Sequence, residues 1–230
     1  MHIAPPKTKP TGPQITDDLA DAIHEHRLPP GTKLGEDELS DVYGVSRTVI
    51  RTALLSLSHQ RLITVERNKG AFVAKPSTQE AREVFEARAL LEPRTVRSAA
   101  ERIDQAGLIR LQSHIDEEHA AMAAGKSGRA VHLSGLFHIE IARIAQQETI
   151  LAFIEQLVAR SSLIIALYWR RPAALCERHA HDALLRALRT GNGADAEELM
   201  KMHLLDILSS LNLRDAAEAP TSLRDALGPR

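Results

Sequence analysis

The stretch Gly44-Val45-Ser46-Arg47-Thr48-Val49-Ile50-Arg51-Thr52-Ala53-Leu54, with Leu57 beyond it, decides how the first third of the chain is read. Ser46 is a residue type that caps helix N-termini. Val49, Ile50, Ala53, Leu54 and Leu57 recur at helical spacing after it, so an amphipathic helix begins at Arg47. Upstream, Glu36, Asp37 and Glu38 suit the positive end of another helix, which Tyr43-Gly44-Val45 breaks. Two short helices joined by a glycine turn form a helix-turn-helix pattern. A further helix is marked by Ile15, Leu19, Ile23 and Leu28 and stops at Pro29-Pro30-Gly31. Downstream, Leu62-Ile63-Thr64-Val65 and Ala71-Phe72-Val73 read as short strands turned by Asn68-Lys69-Gly70, which adds a β-wing.

Charge is segregated within this region. Eight acids lie between Thr16 and Asp41 against Arg27 and Lys33, whereas from Val45 to Lys75 five Arg/Lys positions and Lys75 itself face only Glu66. Arg47 and Arg51 are four residues apart and share one helix face, with Thr48 and Thr52 beside them. In a duplex major groove, arginine forks onto guanine or grips phosphate, and threonine bonds either or touches a thymine methyl. Arg67, Lys69 and Gly70 at the wing tip are placed to reach phosphates or a minor groove.

The run from Val45 to Leu54, with Leu57, Leu62-Ile63 and the wing from Asn68 to Val73, resembles the winged helix-turn-helix of GntR-family bacterial transcription regulators. The resemblance implies that Arg47, Arg51 and the wing contact operator DNA. Many relatives carry a basic residue where Asp37 stands, so this position departs from the family.

The composition agrees with a mainly α protein. Of 230 residues, 43% are hydrophobic but only 3% aromatic, which disfavours sandwiches and barrels. A net charge of −1 excludes a polycation, so nucleic-acid binding has to be local. Cys176 is the only cysteine, which excludes an intramolecular disulfide and fits a reducing compartment. The longest apolar run, Leu163 to Trp169, is short for a membrane span, and the N-terminal segment lacks the apolar core of a secretory signal. A cytoplasmic protein with no membrane partner is expected.

Four segments are expected: an arm over 1–13, the winged helix-turn-helix over 14–76, a helical domain over 77–214 and a loose tail over 215–230. The boundary falls at Ala74-Lys75-Pro76-Ser77-Thr78, where a helix-breaking proline precedes two capping residues. Helical period predicts six helices in the second domain, near 79–102, 105–124, 129–146, 148–169, 174–190 and 194–213, with Pro93 kinking the first.

Polar residues on apolar faces are the informative ones in this half. His138 shares a face with Ile141 and Ala145, His181 with Leu184, Leu185 and Leu188, and His203 with Met200, Leu204 and Ile207. Two readings stay open: hydrogen-bonded core histidines, or convergence on a metal or an anion. His24, His26, His114, His119 and His179 lie off the apolar stripes and read as surface residues. Arg88, between Val84 and Leu91, faces inward, and a buried guanidinium requires an anion. That anion is either an internal acid, Glu92 or Glu140, or the carboxylate of a ligand.

These features resemble the FadR-type branch of the GntR family, whose C-terminal helical domain, FCD, binds small effectors near a metal. The resemblance implies metal ligation by His138, His181 and His203, effector binding by Arg88 and by the residues around that site including Ser134, and a homodimer on a palindromic operator. Ser134 stands where the family has a ligand aspartate, four residues before His138. The missing charge leaves neutral histidines plus water or effector, so a divalent ion such as zinc or nickel stays an open question. The expected function is a ligand-responsive regulator, a repressor switched by a small organic acid. The rival is a metal-dependent enzyme built on the histidines, although H-E-x-x-H, G-x-S-x-G and Walker motifs are all missing.

Overall fold

The computed structural model describes residues 9–169 and 177–214. Cys176, most of the expected arm, the expected tail and the start of the helix expected at 174 lie outside the described residues. The chain is mainly helical with one small sheet. The first part comprises α1 (Gly12–His24), β1 (Lys33–Leu34), α2 (Glu36–Tyr43), α3 (Arg47–His59), β2 (Ile63–Glu66) and β3 (Gly70–Val73).

Helix α1 starts with the Thr11 backbone N–H donating to Gln14 Oε1 at 2.8 Å and with Pro13 in its first turn. It ends earlier than its apolar spacing suggests. His26 takes a left-handed φ of 59° and Leu28 N–H folds back onto Ala22 O at 2.9 Å, so Leu28 reaches the core from a loop rather than from the helix. Gly44, at φ 64°, makes the turn between α2 and α3. Ser46 does occupy the N-cap of α3 in extended conformation, but its hydroxyl makes no capping bond. Ile15, Leu19 and Ile23 of α1 pack with Ile50, Leu54 and Leu57 of α3, fixing α3 with its other side exposed.

The wing is three-stranded, in the order β1-β3-β2. The sequence reading missed β1, which is only two residues long and pairs Lys33 with Phe72. Such a strand is too short to carry an alternating pattern, and only its partner identifies it.

The second part comprises α4 (Thr78–Ala100), α5 (Gln105–Ala123), α6 (Ser127–Ile144), α7 (Glu148–Tyr168), α8 (Glu177–Arg189) and α9 (Gly193–Ser210). Ser77 caps α4 by accepting Glu80 N–H at 3.1 Å, and α4 continues as helix through Pro93. Val96, Leu111, Phe137, Ile141, Leu184, Met200 and Leu204 form one core contributed by α4, α5, α6, α8 and α9. Helix α7 has the length and hydropathy to cross a membrane, yet it carries Glu155 and Arg160 and packs against α4 and α6.

The two parts are closely joined. Leu163 of α7 lies in the apolar cluster of the winged helix, and Ser162 Oγ donates to His24 O at 3.0 Å. A Cβ on Gly128, at the start of α6, would fall 2.0 Å from Glu25 O, so only glycine permits this approach of α6 to the end of α1.

Candidate functional site

His138 on α6, His181 on α8 and His203 on α9 are buried and converge, each presenting a ring nitrogen within 4.8 Å of the others. Apolar neighbours one turn away set each inward, as their helical spacing implies. Their second nitrogens are organised by acids from two further helices. His138 Nδ1–H donates to Glu92 Oε2 on α4 at 2.6 Å, and His181 Nδ1–H donates to Glu118 Oε2 on α5 at 2.8 Å. A carboxylate accepts only from a protonated nitrogen, so in the neutral tautomer that each acid selects, Nε2 is the nitrogen free to act as a ligand toward the cluster.

His138 Nε2 is 3.3 Å from His203 Nε2, and among the described residues His181 Nε2 is the one buried side-chain polar atom without a hydrogen-bond partner. Burial lowers the pKa of His138 to about 4 against the pull of Glu92, and burial with the neighbouring histidines lowers His203 well below its ordinary value. His138 and His203 are therefore neutral at pH 7, the state a metal ligand requires. Three inward ring nitrogens, those of His138 and His181 oriented by carboxylates and that of His181 without a partner, suit a divalent cation of the imidazole-preferring kind.

Arg88 is buried and forms a forked pair with Glu92, with Nε on Oε1 at 2.5 Å and Nη2 on Oε2 at 3.3 Å. Of the two internal acids named for it from sequence, Glu92 is the partner, while Glu140 pairs with Arg110 and Arg143. Burial raises Glu92, but Arg88 and His138 overcome this and hold it down at about 2. One ionised carboxylate thus links the guanidinium to the histidine cluster.

Beside the cluster lies a cavity of about 550 Å³. Arg88, Ser134, His138 and Glu118 belong to its wall, whereas His181 and His203 stand behind it. Helix α1 of the winged helix also contributes to the wall, with Asp17, Asp21 and His24. This corrects the reading of His24 and His26 as surface residues. His24 is half-buried and stacks on His132 of α6 with ring centroids 5.3 Å apart, while His26 Nε2 bonds Ser162 O at 3.0 Å. They lie off the apolar stripe of α1 because that side is covered by another domain, which periodicity within one helix cannot reveal. His114 and His119 are half-buried as well, and only His179 of the five is exposed. Glu118 and His132 escaped notice because nothing in local spacing ties them to partners on other helices.

On α3, Arg47, Thr48, Arg51 and Thr52 are all exposed on one side, and Arg67, Lys69 and Gly70 are exposed at the wing tip. Glu36 of α2 accepts from Arg51 Nε at 2.8 Å and from Arg47 Nη2 at 3.2 Å, and Asp37 takes the other Arg47 nitrogen at 3.0 Å. Lys69 pairs with Glu66 at 2.9 Å. The acids expected to serve the α2 dipole therefore also align the arginines of α3.

Comparison with known proteins agrees with both halves. The family of bacterial regulatory proteins named gntR matches residues 11–73, and the FCD domain matches residues 83–206. The chain is 27% identical over 207 residues to the HTH-type transcriptional repressor RspR of Escherichia coli K12, covering 89% of this chain and 90% of that protein. It is 25% identical to the HTH-type transcriptional regulator LutR of Bacillus subtilis, covering 80% and 94%. The fold matches the crystal structure of a putative transcriptional regulator GntR from Rhodococcus sp. RHA1, with a TM-score of 0.76 at 23% identity over 86% of this chain and 95% of that one. These relatives are named as regulators, so the metal-dependent enzyme reading finds no support. The chain belongs to the GntR family of bacterial regulators and is a DNA-binding transcription regulator with an N-terminal winged helix-turn-helix and a C-terminal FCD domain.

Proposed function

We propose that this regulator is a cytoplasmic repressor of the FadR-type branch, that it binds a palindromic operator as a homodimer, and that a small organic acid in the α1-lined cavity releases it. The DNA-reading unit is residues 14–76, with Arg47, Thr48, Arg51 and Thr52 in the major groove and Arg67, Lys69 and Gly70 on the flanking backbone or minor groove. Residues 77–214 form the effector and dimerisation domain. In this reading His138, His181 and His203 hold a divalent ion, zinc or nickel, with Ser134 and Arg88 lining the effector's path.

The observation that carries the proposal is the charge of the cavity wall. Arg88 is the one Lys or Arg among the described wall residues, and Glu92 already neutralises it. An organic acid entering the cavity therefore needs another positive centre beside His138. A bound divalent metal supplies that charge and an open coordination position for a carboxylate. Glu92 and Glu118 hold the imidazoles in the ligating tautomer, and Ser134, lacking a charge, leaves room for the effector's own oxygen.

Genomic fragments captured by the purified protein would identify the operator, and fluorescence anisotropy on that operator with and without metabolites, at fixed salt, tests the switch. The expected result is a sequence-specific complex of one dimer per palindrome that dissociates in the presence of an organic acid and a divalent metal. Operator affinity indifferent to every metabolite would reduce the protein to a constitutive DNA binder.

A further inference from the structure

The cavity runs along α6 from a closed end to an open one. At the closed end His138, Arg88 and Glu118 are 2–3% exposed, whereas Ser127 at the start of α6 and Asp17 on α1 are exposed wall residues. Helix α6 carries about 16 Å of wall between Ser127 and His138. Between the two ends the wall is largely apolar. Val131 of α6 lies two turns from His138, Met122 of α5 one turn from Glu118, and Ile165 of α7 one turn from Ser161 and Ser162. All three are half-buried. Helices α5 and α7 join α6 through short turns and pack antiparallel to it, so Met122 and Ile165 stand on the Ser127 side of His138.

The polar groups of this stretch are committed elsewhere. Ser161 Oγ donates to Leu157 O at 2.8 Å, and Ser162 Oγ donates to His24 O at 3.0 Å. His26 Nε2 is held by Ser162 O, and burial keeps His24 and His132 below their ordinary pKa, so these rings offer no positive charge at pH 7.

Taking the cavity as the effector site, as proposed above, we infer that it selects a monocarboxylic acid with an apolar body, the carboxylate inward beside His138 and the body along Val131, Met122 and Ile165. Two other classes of organic acid fail in the same stretch. A second carboxylate placed there loses water and meets no cation, because Arg88 is the one Lys or Arg on the described wall and Glu92 holds it. The hydroxyls of a sugar acid also lose water there, against apolar side chains that return no hydrogen bond. A methylene group gains in the same place, and each one buried tightens binding about fourfold.

The test is calorimetric titration of the full-length, zinc-supplemented protein with straight-chain monocarboxylates of about three to ten carbons, with dicarboxylates of equal length, and with gluconate. Affinity should rise about twofold to fourfold per methylene up to a limiting length. Near that limit the monocarboxylate should bind at least about tenfold more tightly than its dicarboxylate partner and than gluconate. Val131→Phe should move the limit to shorter acids and leave propionate unaffected, since propionate does not extend two turns from His138. Val131 belongs to none of the apolar clusters of the described residues, so the variant should fold. Val131→Thr, which keeps the side-chain shape and adds a hydroxyl, should weaken the longest acids about threefold and spare propionate. Affinity that does not grow with chain length, dicarboxylates or gluconate that match the monocarboxylates, or long-acid binding that both Val131 variants leave unchanged would overturn the apolar-body selection and leave the effector cavity standing. Binding by none of these acids would overturn the cavity as the effector site, and the selection with it.

Discussion

His138 and His203 face each other Nε2 to Nε2 at 3.3 Å, their rings stacked 11° from parallel. Because Glu92 already takes the Nδ1 proton of His138, this contact is a hydrogen bond only while His203 keeps its own proton on Nε2. A divalent ion replacing that proton would also satisfy His181 Nε2, which has no partner otherwise. Purified protein should therefore retain close to one divalent ion per chain by elemental analysis, and His203→Ala should abolish retention.

The acids behind the rings give a finer test of the same arrangement. Glu118→Gln keeps the shape at His181 but weakens the carboxylate that fixes its tautomer, and metal affinity should fall about 10-fold to 100-fold. Ser134→Asp should move affinity the other way by adding an anionic ligand. Equal metal affinity in all three proteins, measured by competition with a chelator, would show that neither Glu118 nor position 134 acts on the metal site.

The pH dependence of stability should report the junction between the domains. Burial and then His132 and His26 lower His24 from 6.5 to about 4, so between these values the unfolded chain binds a proton that the folded chain refuses. The stability this neutral ring permits is complete above pH 6.5 and is lost as pH falls toward 4, on the order of 3 kcal/mol in all. His132 is lowered by the same cause and adds in the same direction. Urea midpoints should decline across that window, and His24→Gln should flatten the decline. A midpoint independent of pH in the wild-type protein would show that His24 is hydrated.

Legibility in the sequence followed the range of the interactions. Helix α3 and the wing were readable because their signals are local: a cap residue, apolar spacing, and an Asn-Lys-Gly turn in which Asn68 and Gly70 do take positive φ. The inward direction of Arg88, His138, His181 and His203 was also readable, since each shares a face with apolar neighbours on its own helix. What those residues touch was readable only where the partner is one turn away, as for Arg88 and Glu92. Glu118 lies 63 residues from His181, and β1 exists only because β3 runs beside it, so neither leaves a mark in local spacing. The domain junction was the least visible, because the polar residues that line it, Asp17, Asp21 and His24, look from within α1 like its solvent side.

On the DNA-reading surface, Glu36 both positions and neutralises Arg47 and Arg51. Arg51→Ala and Arg47→Ala should each weaken operator binding by about 1–3 kcal/mol for every base the arginine reads, with the fold intact because both are exposed. Glu36→Gln should behave differently. It releases two arginines that were oriented, so binding to random-sequence DNA should strengthen, while the ratio of operator to random-sequence affinity should fall. Anisotropy titrations on both DNAs over a range of salt separate these effects. An unchanged ratio would mean that both arginines contact phosphate rather than bases.

The final prediction concerns Gly128, which permits the close approach of α6 to α1. A Cβ there would meet Glu25 O at 2.0 Å and the Glu25 carbonyl carbon at 2.5 Å. These are backbone atoms, so no side-chain rotation relieves the overlap, and Gly128→Ala must displace α1 from α6. The displacement opens the seam that carries the Arg129–Glu25 pair and the stacked His24 and His132 rings. Neither Gly128 nor Glu25, His24 or His132 belongs to the apolar cores of the helical bundle and of the winged helix. Each part should therefore stay folded, at a cost of about 1–3 kcal/mol concentrated in their mutual docking. Thermal unfolding should then separate into two transitions, and DNA binding should persist but cease to respond to any ligand of the cavity. A variant that still unfolds in one transition and keeps its ligand response would show that the seam relaxes at little cost, and that communication between the halves runs through the other contact, where Leu163 of α7 enters the core of the winged helix.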